Sequence, residues 1–108
     1  MVELETVFEL LREERRRYAL YYLYERNGPV SVDELVETVE KWEDEGTAPE
    51  LDSVDEIALE LQHVHLPKSA EVEFIQYDPS RNLVQINGSP PEFDAFVTVA
   101  KLLETPEE

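Results

Sequence analysis

Val72-Glu73-Phe74-Ile75-Gln76-Tyr77-Asp78-Pro79-Ser80-Arg81-Asn82-Leu83-Val84-Gln85-Ile86-Asn87 is where the periodicity of this chain changes. Val72 to Tyr77 and Leu83 to Asn87 are short runs rich in β-branched and aromatic residues, which favour a pleated, half-buried surface. Between them, Asp78 to Asn82 is a five-residue segment of turn formers. The stretch therefore reads as a β-hairpin.

Everything before it reads as helix. Ser53-Val54-Asp55-Glu56 has the form of a capping box, with Ser53 as N-cap. The helix it opens, residues 53–66, carries Val54, Ile57, Ala58, Leu61 and Val64 at one-face spacing, and Pro67 is expected to end or kink it. An acidic loop, Glu43 to Pro49, separates it from a second capped helix. There Ser31-Val32-Asp33-Glu34 is the capping box, followed by Val32, Leu35, Val36, Val39 and Trp42 on one face. Further back, Glu14 to Arg26 is apolar nearly all round, with Tyr18, Ala19, Leu20, Tyr21, Tyr22, Leu23 and Tyr24, so a central position is expected. Asn27-Gly28-Pro29 stops it, with a left-handed cap expected at Gly28. The first helix, Glu3 to Arg12, shows Leu4, Val7, Phe8 and Leu11 as a stripe. After the hairpin, Asn87-Gly88-Ser89-Pro90-Pro91 breaks the chain, and a last helix from Glu92 to Leu103 carries Phe93, Phe96, Val97, Ala100 and Leu103.

Two capped helices followed by a two-stranded ribbon give a mainly α chain with a small β-hairpin, a winged helix-turn-helix plus a C-terminal helix. All 108 residues are read as one domain, with the winged-helix core at about 4–87 and the C-terminal helix at 92–103. Two terminal helices with apolar stripes suit burial against a second copy. The expected dimer seam is Leu4, Val7, Phe8 and Leu11 with Phe93, Phe96, Val97, Ala100 and Leu103.

Charge sets the chemical frame. Lys plus Arg is 9 and Asp plus Glu is 26, a net charge of −17. Such a chain repels itself in dilute buffer, whereas in molar salt a Debye length of ~3 Å screens the repulsion. Abundant carboxylate with only three lysines is what stays hydrated there, so a halophilic source is expected. There is no cysteine, which excludes disulfides, thiolate zinc sites and a Cys nucleophile. No apolar run approaches ~18 residues and the first residues are acidic, so the expectation is a soluble cytoplasmic protein without membrane association. His63 and His65 diverge on a helix, a poor metal pair, and no nucleotide loop or catalytic triad is visible. Neither an enzyme nor a cofactor is expected.

The runs Arg15-Arg16-Arg17-Tyr18-Ala19-Leu20-Tyr21-Tyr22-Leu23, Gly28-Pro29-Val30-Ser31-Val32-Asp33-Glu34-Leu35 and His65-Leu66-Pro67-Lys68 resemble a known group. They are similar to the small winged-helix domains of haloarchaea that are grouped with ArsR-like transcriptional regulators, many without an assigned function. The resemblance implies a winged-helix fold, dimerisation and binding to double-stranded DNA. On that reading Arg15, Arg16, Arg17, Lys68 and Arg81 hold phosphates, while Gln62 and His63 inspect bases. The second helix of the pair carries Asp55, Glu56 and Glu60 with no Lys or Arg. A winged-helix module that contacts another protein, without direct DNA binding, is therefore the alternative.

Overall fold

A computed structural model describes residues 3–26, 28–43 and 51–104, with the side chains of residues 51–54 outside that description. The chain order is α1 (Leu4–Leu10), α2 (Glu14–Glu25), β1 (Val30–Ser31), α3 (Val32–Glu43), α4 (Leu51–Glu60), a π-helical turn (Leu61–His65), α5 (Leu66–Ser69), β2 (Ile75–Asp78), β3 (Leu83–Ile86) and α6 (Pro91–Glu104). The protein is mainly α with a small antiparallel sheet and a C-terminal helix. The acidic loop expected over Glu43 to Pro49 falls largely outside the described residues.

The hairpin forms as its sequence requires. Ile75 pairs with Ile86 and Asp78 with Leu83. Its turn is closed by the Arg81 N–H donating to the Asp78 carbonyl at 3.2 Å and by Asn82 N–H donating to Pro79 O at 3.3 Å. Asn82 completes the reversal at φ 58°, a left-handed conformation that asparagine tolerates better than most residues. Val72 and Glu73 lie in a turn ahead of β2, so the first strand is shorter than the sequence suggests. A third strand is new: Val30 pairs with Val84 and Ser31 with Leu83, giving the order β1-β3-β2. Two residues are too few to show strand periodicity, and Ser31 also has its capping role.

Of the two expected capping boxes, the first is half made. Glu34 N–H donates to Ser31 Oγ at 3.1 Å. The Glu34 carboxylate turns away, accepting from Tyr22 OH and pairing with Arg26 at 3.3 Å. The second is displaced: α4 begins at Leu51, so Ser53 sits inside the helix instead of at its cap. Gly28 is no left-handed cap either. The helix stops at Glu25, Arg26 is extended, and Gly28 has φ 153°. Pro67 does not end its helix. Ahead of it the chain widens into the π turn, where Leu66 N–H reaches back to Leu61 O. Proline lacks an N–H and crowds the carbonyl four residues back, and the wider turn absorbs both defects.

The core surrounds α2. Tyr21, Leu20, Leu23 and Ala19 meet Leu35, Val36 and Val39 of α3, Ile57 and Leu61 before Pro67, Val84 of β3, and Phe93 and Val97 of α6. Phe93 lies 4.9 Å from Phe74 and 6.2 Å from Tyr24, ring centre to ring centre. Each such side chain contributes ~1.5–3 kcal/mol by leaving water. Trp42 is only half-buried, edge-on to Tyr18 at 5.7 Å and Tyr22 at 6.4 Å.

Candidate functional site

Three arginines open α2, and all three are engaged within the chain. Arg16 is 4% exposed. Its Nε donates to Leu10 O at 2.8 Å, Nη2 to Glu9 O at 2.6 Å, and Nη1 lies 3.3 Å from His65 Nδ1. The last carbonyls of α1 have no partner within that helix, so the guanidinium acts as its cap. Arg17 donates to Leu11 O at 2.9 Å and Arg12 O at 3.0 Å, and forks onto Glu104 at 2.8 and 2.6 Å. Tyr21 OH also donates to Glu104, at 2.7 Å. Arg15 pairs with Glu43 at 2.8 Å and Glu60 at 3.3 Å. The expectation that Arg16 holds a phosphate is thus corrected. Arg16 is enclosed with every guanidinium nitrogen engaged, and Arg15 and Arg17 face carboxylates of α3, α4 and α6. Helical divergence of the three side chains was legible in the sequence, but their partners lie up to 87 residues away.

Ionisation follows from these contacts. The hydrogen bond from Arg17 holds the Glu104 carboxyl below its usual range, against the opposing effect of burial. Burial first, then the bond to Glu104, pushes the Tyr21 phenol up. Burial and the bond to Glu14 push Tyr18 up to about 12. Burial and the nearby Arg16 push His65 down, although Glu60 pulls the other way.

The remaining candidates lie on the α4–α5 segment and at the hairpin turn. From α4 to the start of α5, Asp55, Glu56, Leu59, His63, Val64 and Pro67 are exposed, and Gln62 is half-buried. Leu59 and Val64 are 60% and 51% exposed, unusual for apolar side chains on so charged a helix. Lys68 is partly covered and its Nζ lies 3.8 Å from Glu71. Arg81 is exposed at the hairpin turn. Gln62, His63 and Arg81 are therefore accessible, whereas the described helix surface beside them carries carboxylates and apolar groups. His63 and His65 part company, one exposed and one buried. Among the described residues, no group of His, Cys, Asp and Glu is arranged to hold a metal ion.

The expected dimer seam divides in two. Val7, Phe93 and Val97 belong to the chain's own core and are withdrawn from it, because the stripe they define is the face that packs on α2 and the sheet. Leu11 and Ala100 are half-buried against the same core. Leu4, Phe8, Phe96 and Leu103 remain exposed, and Phe8 meets Phe96 edge-on at 5.2 Å. Val99 and Leu102 extend this ridge and were missed. Their signal was a second apolar row on α6, Phe96, Val99 and Leu102/Leu103, parallel to the core row.

A concavity of about 790 Å³ lies between α1 and the turns flanking the sheet. It is rimmed by Glu3, Glu9, Glu71 and Glu73 with Lys68. Among the described residues, no helix is long and apolar enough to cross a membrane.

Comparison with known families places the chain plainly: it belongs to the family described as Domain of unknown function (DUF7344), which matches residues 8–85. No curated protein and no solved structure matches it.

Proposed function

We propose that this chain is a winged-helix regulatory module of a halophilic cell that meets another protein through the α4–π-turn face. The observation that carries this reading is the exposed surface itself. Asp55, Glu56, Leu59 and Val64 stand in the position where a DNA-reading helix needs cations, and the basic run of α2 is consumed by internal caps and ion pairs. DNA affinity comes largely from Lys and Arg on phosphates, and carboxylates facing a phosphate backbone are repelled. Exposed leucine and valine on a rim of charge are ordinary ingredients of a protein interface.

The module is a homodimer in this reading, joined through the Phe8–Phe96 ridge. On a chain of net charge −17, two copies approach most easily where charge is sparse. From Ala95 to Leu103 the one charged residue is Lys101, and it is paired with Glu25.

A second reading, a DNA-binding transcriptional regulator of the ArsR-like group, is favoured by one feature. Arg81 stands exposed at the hairpin turn, with Gln62, His63 and Lys68 as further accessible groups. Photo-crosslinking residues placed singly at Leu59, His63 and Arg81 in cells separate the two. The protein-contact reading expects protein adducts at 59 and 63. DNA adducts at all three positions, together with a mobility shift abolished by Arg81→Ala, overturn it in favour of the regulator.

A further inference from the structure

His65 sits in the π turn directly beneath the exposed face, yet it is only 5% exposed itself. Its hydrogen bonds define one tautomer. Nδ1 lies 3.3 Å from the Arg16 Nη1, which has only hydrogens to offer, so Nδ1 must present its lone pair. Nε2 lies 3.4 Å from Glu60 Oε1 and carries the proton. The imidazole is therefore neutral in this arrangement. A proton added at Nδ1 sets donor against donor and cation against cation in an enclosed site.

We propose that His65 and Arg16 form an acid-sensitive latch that fixes the π turn, and with it the exposed Gln62, His63 and Val64, against the α1–α2 corner. The charged groups around it come from α1, α2, α3 and α4. From α2 and the residue before it come Arg16, Arg15 and Glu13; from α4, Glu60; from α3, Glu43 through Arg15; and from α1, Glu9 beside Arg16, with Arg12 just beyond its end. Glu60 does not neutralise an imidazolium fully, because Arg15 already draws on the same carboxylate oxygen at 3.3 Å. Arg16 is held in place by the α1 carbonyls whether or not His65 is charged, so the imidazole is the member that leaves.

The direction of the effect follows from linkage. With the latch open, His65 titrates near its free value of ~6.5; with it closed, it titrates lower. Acid therefore favours opening, by about tenfold per pH unit below ~6.5 until the closed form also takes up a proton. The latch stands on the Arg16–His65–Glu60 geometry, and only the consequence that acid loosens a partner-binding face rests on the protein-contact reading.

Amide hydrogen exchange of the full chain between pH 7.5 and 5.5, corrected for intrinsic rates, tests it. Protection over residues 61–66 should fall at pH 5.5, by up to about tenfold, in His63→Gln as in wild type. In His65→Gln the side-chain carbonyl accepts from Arg16 without titrating, and protection should stay level. A level wild-type profile, or an equal fall in His65→Gln, overturns the proposal. Should His65→Gln fail to fold, ring-nitrogen shifts of the wild type decide. A neutral Nε2–H tautomer of His65 at pH 7.5 that changes with the loss of protection supports the latch, and an Nδ1–H or charged ring at pH 7.5 overturns it. Loss of the protein adducts with a normal exchange response removes the protein-contact reading alone; a flat exchange response with intact adducts removes the latch alone.

Discussion

Replacing Arg16 with alanine separates a structural arginine from a ligand-binding one. The side chain supplies three hydrogen bonds, to Leu10 O, Glu9 O and His65 Nδ1, at 2.8, 2.6 and 3.3 Å. Bonds from a charged donor are worth ~1.5–3 kcal/mol each where the acceptor is left buried without a partner. Glu9 is half-exposed and its carbonyl regains water, whereas Leu10 and His65 are enclosed. Two unsatisfied buried acceptors come to ~3–6 kcal/mol, with the lost packing of the stem in addition. For a domain of this size that corresponds to a fall in Tm of at least ~13–26 °C. The assay is urea unfolding followed by circular dichroism, at fixed high salt, with Arg12→Ala as the comparison. Arg12 is largely exposed and makes an i,i+3 pair at 3.4 Å, so its loss should cost no more than ~0.5 kcal/mol. An Arg16→Ala protein within ~1 kcal/mol of wild type refutes the cap and restores this arginine as a surface group.

Three further outcomes are expected. Glu104 has its folded pKa depressed, so its contribution is present above the unfolded value of ~4.3 and disappears as pH falls through the lower folded value; Glu104→Gln should be less stable by ~1–2 kcal/mol at pH 7 and should lack that acid-dependent loss in pH-resolved unfolding curves. Phe8→Glu with Phe96→Glu should leave the helical circular-dichroism spectrum unchanged while converting a sedimenting dimer to monomer, and a wild type that is already monomeric at high micromolar concentration removes the ridge as a seam. Asn82→Val should destabilise by ~1–2 kcal/mol because a β-branched residue resists φ 58°, whereas Asn82→Gly should lie within ~0.5 kcal/mol of wild type; equal effects would mean the turn does not hold that conformation in solution.

Local pattern determined much of this protein. The 3.6-residue apolar spacing located four helices and a nearly all-apolar run located α2, the change of period at Val72 located the hairpin, and Ser31 announced the cap it makes, because each signal depends on neighbours a few residues apart. What the tertiary structure decided are matters of long-range contact. Val7, Phe93 and Val97 show the same stripe whether the covering surface is a second copy or the chain's own α2, and only the packing assigned them to the core. Arg15, Arg16 and Arg17 read alike as phosphate ligands, and it is Glu43, Glu104 and the carbonyls ending α1 that engage them in the fold. His65 looked like one member of a weak histidine pair until α2 brought Arg16 against it. A side chain's chemistry is local, but its partner, and hence its task, is set by which distant element the fold lays beside it.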